Sequence, residues 1–218
     1  MNNTLRIASA VLFSVSALSL LAMLHHPTVS SESFEHALQE IERERGLNAS
    51  VHGAMIVFTA LYYWAFSVLT KAIDSPWAQW GQLAAALASA LLIGAAIVSG
   101  FLFPEFAASL QARSIPEETA RPLMRLLRST NLTLAELGIA AYALAMCSWG
   151  AALMRHSRRL GALGLGLGLA IGAAVVFDVR WGVFATTLFA AALAAWSTAA
   201  GIWMWRSKPS VPDLDPQR

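Results

Sequence analysis

Six apolar stretches, each long enough to cross a lipid bilayer, constrain this chain more than any other feature. A membrane-spanning helix needs about 20 consecutive apolar residues, because each residue advances the helix by about 1.5 Å. The stretches cover residues 5–24, 51–70, 80–103, 132–154, 160–177 and 182–205. Inside lipid every backbone polar group must find a partner within the protein, so such stretches fold as helices. The sequence therefore predicts an all-α integral membrane protein, with about six transmembrane helices bundled into one domain over residues 1–206.

The charge content agrees with this prediction and narrows the possible partners. Charged residues make up 13% of the chain, whereas a soluble domain carries about 25%. The net charge is only +2 and no basic patch is clustered in the sequence, so nucleic acid is not an expected partner. The expected partners are the lipid bilayer and other membrane-protein subunits. The single cysteine, Cys147, excludes a disulfide framework.

The ends of the chain indicate an orientation. Arg6 precedes the first apolar stretch and an acidic segment follows it, and the first helix usually dominates membrane orientation. That stretch is longer than the h-region of a signal peptide, and no clear cleavage site follows, so we interpret it as a retained span. An even number of spans then predicts that both termini lie on the cytoplasmic side of a bacterial-type inner (plasma) membrane.

Residues 207–218 contain three prolines and are predicted to be disordered.

Two long connections separate the first four spans. In the first, the pattern over residues 32–45 places Phe34, Leu38 and Ile41 on one helical face. This pattern predicts an amphipathic surface helix that covers the outer mouth of the bundle and ends at Gly46. The second connection, residues 104–131, is interpreted as a loop with a helix start at residues 114–117.

The fifth apolar stretch is short and rich in glycine. Glycine lets transmembrane helices approach closely, so the pattern predicts tight backbone packing in the bundle. The glycines are Gly161, Gly164, Gly166, Gly168 and Gly172.

Histidines and one acid are predicted to gather at the outer membrane face. His25 and His26 end the first span, His52 begins the second, and Glu136 lies one turn inside the fourth. Neutral imidazoles with a carboxylate can bind transition metals, and two histidines from different helices can ligate a haem iron. The sequence therefore predicts a metal or haem site at His25, His26, His52 and Glu136.

Polar residues also recur along one face of the second span. A polar stripe through a membrane helix is expected to face other helices or a hydrated path. The stripe comprises His52, Thr59, Tyr63, Ser67 and Thr70.

Three hypotheses about function stay open at this point. The first is a membrane protein that binds a metal or haem through the histidine and glutamate cluster. The second is a small proton-coupled transporter that uses the polar stripe, with Glu136 titrating. The third is a non-catalytic accessory subunit of a membrane complex. The sequence contains no phosphate-binding glycine loop and no nucleophile elbow, so an enzymatic activity is not favoured.

Overall fold

A computed structural model describes residues 3–26, 33–177 and 183–207 of the chain. Within these ranges the structure is helical and contains no β-strand. The α-helices are α1 (Asn3–Leu24), α2 (Phe34–Arg43), α3 (Arg45–Ile73), α4 (Pro76–Ile97), α5 (Phe103–Ala112), α6 (Glu117–Leu153), α7 (Arg158–Val176) and α8 (Val183–Arg206). A π-helical turn, Val98–Leu102, joins α4 to α5. Most of the predicted disordered tail, residues 208–218, lies outside the described ranges.

Among the described residues, six helical segments are long and apolar enough to cross a membrane. This confirms the all-α bundle and the six predicted spans. The segments are Asn3–Leu24, Arg45–Ile73, Pro76–Ala112, Glu117–Leu153, Arg158–Val176 and Phe184–Arg206.

The six spanning helices form a ring in which chain neighbours are also neighbours in space. α1 packs against α3 and α8, α4 lies between α3 and α6, and α7 packs along α6. α7 touches α8 only sparsely, and that contact closes the ring. The Arg6 guanidinium lies 5.6 Å above the ring of Trp205. The start of α1 and the end of α8 therefore meet at one end of an up-and-down bundle.

Two helices are much longer than the lipid core is thick. α3 has 29 residues and α6 has 37, which gives lengths of about 43 and 55 Å against about 30 Å of hydrocarbon. Both extend at the same end of the bundle, where α5 continues α4 as well. We call α2, α5 and residues 117–128 of α6 the crown. The loop predicted over residues 104–131 is therefore wrong, because all of it is helical except a turn at 113–116. The helix start predicted at residues 114–117 is confirmed, since α6 begins at Glu117.

The predicted surface helix is present as α2 and packs on protein. Ser33 caps it by accepting a hydrogen bond from the backbone N–H of His36 at 3.2 Å. Leu38 and Ile41 are 6% and 8% exposed; burying a Leu or Ile side chain fully contributes about 1.5–3 kcal/mol. They pack against four residues of α5 and α6, namely Ala107, Leu110, Ala120 and Met124.

The junction between α2 and the second span differs from the prediction. Gly46 does not end the surface helix, because α3 already begins at Arg45. Arg45 forms an ion pair with Glu105 of α5. The first residue of α3 therefore contacts the crown through this ion pair.

Close backbone packing between α6 and α7 confirms part of the glycine prediction. A Cβ added to Gly161 would lie 2.7 Å from the carbonyl oxygen of Gly150, and one added to Gly150 would lie 2.6 Å from the backbone nitrogen of Leu165. Three of the five predicted glycines face such contacts, namely Gly161, Gly164 and Gly168. A Cβ added to Gly166 would meet nothing within 4 Å, and one added to Gly172 would make only an ordinary contact, 3.9 Å from the Cβ of Ala143.

Aromatic rings fill the half of the bundle farther from the crown. Trp149 and Trp196 stack with their ring centroids 5.6 Å apart, and Phe66 lies 4.7 Å from Trp149. The indole N–H of Trp149 donates to the hydroxyl of Thr70 at 2.9 Å. This half of the bundle is therefore packed with large rings.

We expect Gly150→Ala to destabilise the protein by about 1–3 kcal/mol, because the new methyl group would meet backbone atoms that cannot rotate away. The matched control is Gly166→Ala, where a Cβ meets nothing within 4 Å. Thermal unfolding in a mild detergent measures both. Equal midpoints for the two variants would contradict the described α6–α7 contact.

We expect cysteines at two crown positions to react from the same side of the membrane. His36 and Glu118 are both exposed, and Arg155 is exposed at the opposite end. Single cysteines are introduced in a Cys147→Ala background and treated with a membrane-impermeant maleimide. His36→Cys and Glu118→Cys should react under the same condition, either both with intact membranes or both only after the membrane is opened. Arg155→Cys should react under the other condition. Labelling of positions 36 and 118 from opposite sides would refute the described topology.

Candidate functional site

The two histidines that follow α1 point in different directions. Consecutive residues on a helix are rotated by about 100°. His25 is exposed, and its Nδ1 atom lies 2.9 Å from the carbonyl oxygen of Leu21 in its own helix. His26 turns into the bundle, where its ring centroid lies 5.0 Å from that of His52 in an edge-on arrangement. The structure thus pairs His26 with His52 and leaves His25 outside.

The ring of His52 is held in one tautomer by its own helix. His52 is 4% exposed, and its Nδ1 atom lies 2.9 Å from the carbonyl oxygen of Asn48. Because a carbonyl can only accept, Nδ1 carries the hydrogen of this bond. In the neutral ring Nε2 then keeps its lone pair, which is able to accept a proton, a hydrogen bond or a metal.

The π-helical turn in α4–α5 follows from Pro104. Proline has no backbone N–H, so the carbonyl of Gly100 loses its usual helical donor. The chain adapts by widening one turn, in which the N–H of Phe103 donates to the carbonyl of Val98, five residues earlier. Such turns occur frequently at functional sites.

The same turn determines where His52 lies. A Cβ added to Gly100 would lie 2.3 Å from the Cβ of His52, so only glycine allows this close approach. The side chain of Asn48 donates to the carbonyl of Ser99 at 2.8 Å. Asn48 therefore connects the π-helical turn to the histidine, since its own carbonyl accepts from His52.

A cavity of about 330 Å³ lies between α1, α3, α4, α6 and α8, in the half of the bundle nearer the crown. Its polar mouth carries His26, His52, Arg128 and Asn131. Its walls are mainly apolar and include Met55, Phe58, Leu92, Ile139, Phe189 and Leu193. Asn131 and Tyr142, which both line it, are separated by about 16 Å along α6.

Two tyrosines lie at the deep end of this cavity. The hydroxyl of Tyr62 donates to the hydroxyl of Ser16 at 3.1 Å. The hydroxyl of Tyr142 lies near that of Ser89, yet among the described residues neither has a partner in hydrogen-bonding geometry. Tyr142 is 1% exposed, and leaving a buried hydroxyl unsatisfied costs about 1–3 kcal/mol.

Glu136 does not join the histidines. It is half-buried, but it does not line the cavity, whereas its near neighbours Leu132, Ala135 and Ile139 do. Within the ranges that the structure describes, Glu136 forms no ion pair.

The predicted metal ligands therefore come together only in part. Over residues 3–26, 33–177 and 183–207, no group of three or more His, Cys, Asp or Glu side chains is placed to hold a metal ion. Of the four predicted ligands, only His26 and His52 are in contact. The geometry does not support the predicted four-residue site.

The predicted polar stripe on α3 is not continuous. Thr59 lines the cavity, and Thr70 is buried among the aromatic rings. Tyr63, in contrast, is 36% exposed, and Ser67 donates to the carbonyl of Trp64 in its own helix at 2.6 Å. The prediction is therefore wrong for Tyr63 and Ser67, which do not face the bundle interior. No polar path runs the full length of this face of α3.

Sequence reasoning missed three residues of this site. Asn48 and Arg128 fell in segments interpreted as connections, and Tyr142 was hidden among small residues. One usable signal was present: Pro104 lacks a backbone N–H, so a helix that continues through it loses one hydrogen bond, which favours a local widening.

No protein-family model, no curated protein and no solved structure matches this chain. Function is therefore inferred from the cavity itself, which has an apolar interior and, at its mouth, a histidine with a fixed tautomer.

We expect Gly100→Ala to destabilise the protein by about 1–3 kcal/mol, because the added methyl group would meet the Cβ of His52 and push α3 away from the π-helical turn. Gly53→Ala is the matched control, since its Cβ would make only an ordinary contact, 3.8 Å from Phe101. Thermal unfolding of both variants checks this. An unchanged midpoint for Gly100→Ala would show that the close approach is absent.

Proposed function

We propose that this multi-pass membrane protein binds a lipid-soluble small molecule in the central cavity, with the polar end of the molecule near His26 and His52. The observation that carries the proposal is a mainly apolar cavity whose arginine, asparagine and histidine side chains lie at its mouth. Its volume of about 330 Å³ falls in the range of small-molecule sites, about 300–1,000 Å³.

The mouth supplies complementary hydrogen-bonding groups. Nε2 of His52 can accept, the Asn131 amide can both donate and accept, and Arg128 can donate. In surroundings of low polarity such bonds are stronger than in water. A ligand with a polar head is therefore favoured over a plain hydrocarbon.

The interior suits an apolar body. Phe58 and Phe189 contribute rings and Ile139 contributes an aliphatic surface. A molecule that dissolves in the bilayer would exchange lipid for these side chains and would gain packing contacts.

The other end of the bundle supports binding over conduction. The stacked rings of Trp149 and Trp196, with Phe66, fill the interior beyond the cavity. A transporter path along α3 would have to pass these rings. We therefore favour a binding protein or a carrier with a single ligand site over a proton-coupled transporter with a continuous polar path.

We further propose a bacterial-type inner membrane with the termini in the cytoplasm, so that the crown and the mouth face outward. Arg6 in the first turns of α1 and three basic residues where α6 connects to α7 support this orientation. Those three residues are Arg155, Arg158 and Arg159.

We expect Ala95→Phe to abolish ligand binding, because Ala95 lines the cavity and a phenyl ring there would occupy the ligand volume. The control is Ala90→Phe on the same helix, where the side chain is exposed. Protein purified in a mild detergent, after addition of a total lipid extract from its host, is analysed by native mass spectrometry. Wild type and Ala90→Phe should each retain close to one bound small molecule per chain. Ala95→Phe should retain an amount that is lower by at least about fivefold.

The proposal fails if wild type carries no more bound small molecule than Ala95→Phe under these conditions. Metal analysis of the same samples covers the alternative raised by the histidines. Stoichiometric metal that disappears in His52→Ala would replace the small-molecule proposal by a metal or haem site.

A further inference from the structure

A second cavity lies directly above the mouth, between α2, the π-helical turn and the start of α6. It measures about 450 Å³, and we call it the vestibule. The vestibule is lined by apolar residues of α2 and α5, among them Phe34, Leu38 and Phe103, and by basic residues of α6. The charged side chains that line it are Arg121, Arg125 and Arg128.

The three arginines lie on one face of α6, because their spacing is four and then three residues. Arg121 already has partners, since it pairs with Glu117 and lies 5.2 Å above the ring of Phe34. In the described parts of the chain, neither Arg125 nor Arg128 has a carboxylate within ion-pair distance. The vestibule thus carries positive charge that no described acid neutralises.

The level of these arginines fits the membrane surface. The apolar run of α6 starts at Leu132, one turn beyond Arg128. Arg128 therefore lies at the boundary between hydrocarbon and water, where the head groups of lipids lie and long basic side chains reach them.

The vestibule and the central cavity meet at shared residues. Ser99, Arg128 and Asn131 line both. A single molecule can therefore place its head beside the arginines and its chain between the spanning helices. The central cavity, about 330 Å³, suits one alkyl chain better than the two chains of a phospholipid.

We propose that the ligand is a single-chain anionic amphiphile, with a carboxylate or phosphate head bound by Arg125 and Arg128 and its chain in the central cavity. This inference rests on the proposed function and specifies its ligand class. Charge-assisted hydrogen bonds from arginine to such heads are about twice as strong as neutral ones. α2 covers the head from the water side, and Asn131 and His52 lie where the head joins the chain.

The test titrates the purified protein, in a neutral detergent, with three probes that share one chain: oleate, oleoyl lysophosphatidate and uncharged oleyl alcohol. Bound probe is counted by native mass spectrometry. The test variant is Arg125→Gln/Arg128→Gln. The control, Arg113→Gln/Arg155→Gln, removes two positive charges from exposed positions away from both cavities.

We expect the test variant to bind the anionic probes at least about tenfold more weakly than wild type, and the control variant to stay within about twofold. Oleyl alcohol should bind wild type about tenfold more weakly than the better anionic probe and should not distinguish the variants. Whichever anionic probe binds more tightly identifies the head as carboxylate or phosphate.

Salt provides a second measurement that needs no variant. Because the arginines are partly exposed, raising the ionic strength from about 0.1 to about 0.5 M should weaken the binding of oleate to wild type severalfold and leave oleyl alcohol unaffected.

Two contrary outcomes separate this inference from the function on which it rests. If oleyl alcohol binds as tightly as both anionic probes, and Ala95→Phe still abolishes binding, the anionic head is refuted while the cavity function survives. If Ala95→Phe leaves the binding of all three probes unchanged, the cavity is not their site and both proposals fall.

Discussion

Inside lipid every backbone N–H and C=O group must form a hydrogen bond within the protein, and the hydrophobic effect no longer drives the helices together. Close contact between small residues therefore holds the spanning helices together, most visibly where Gly150 on α6 meets Gly161 on α7. Beyond the hydrocarbon, water returns and apolar burial stabilises structure again. The crown depends on that second force, through Leu38 and Ile41. α6 passes through both regions and connects them.

Pro104 shows how one missing N–H group can organise a site. The widened turn that compensates for it leaves Gly100 against His52, and Asn48 links the two by hydrogen bonds from its side chain and to its carbonyl. The outcome is a buried imidazole whose Nδ1 is already engaged, so its chemistry is directed through Nε2. A local backbone irregularity thus places a reactive nitrogen at the mouth of the cavity.

The two halves of the bundle differ in how their interiors are filled. Rings of Trp149, Trp196 and Phe66 fill the half near the start of α1 and the end of α8. Toward the crown, the interior is left open between walls that include Phe58 and Phe189. A cavity that is closed at one end and basic at the other is typical of a ligand-binding pocket and not of a pore. This asymmetry is the physical basis for a ligand that enters chain-first and leaves its head at the arginines.

The sequence by itself determined the six helices, the amphipathic face of α2 and the common level of His26 and His52, because hydropathy and periodicity record contact with lipid residue by residue. Only the tertiary structure decided how far α6 extends, since a helix continues by hydrogen bonding after its apolar run ends. Only the tertiary structure shows that His25 and Tyr63 face outward and that Glu136 does not line the cavity. The direction of a side chain depends on the rotation of its helix, and the shapes of neighbouring helices set that rotation.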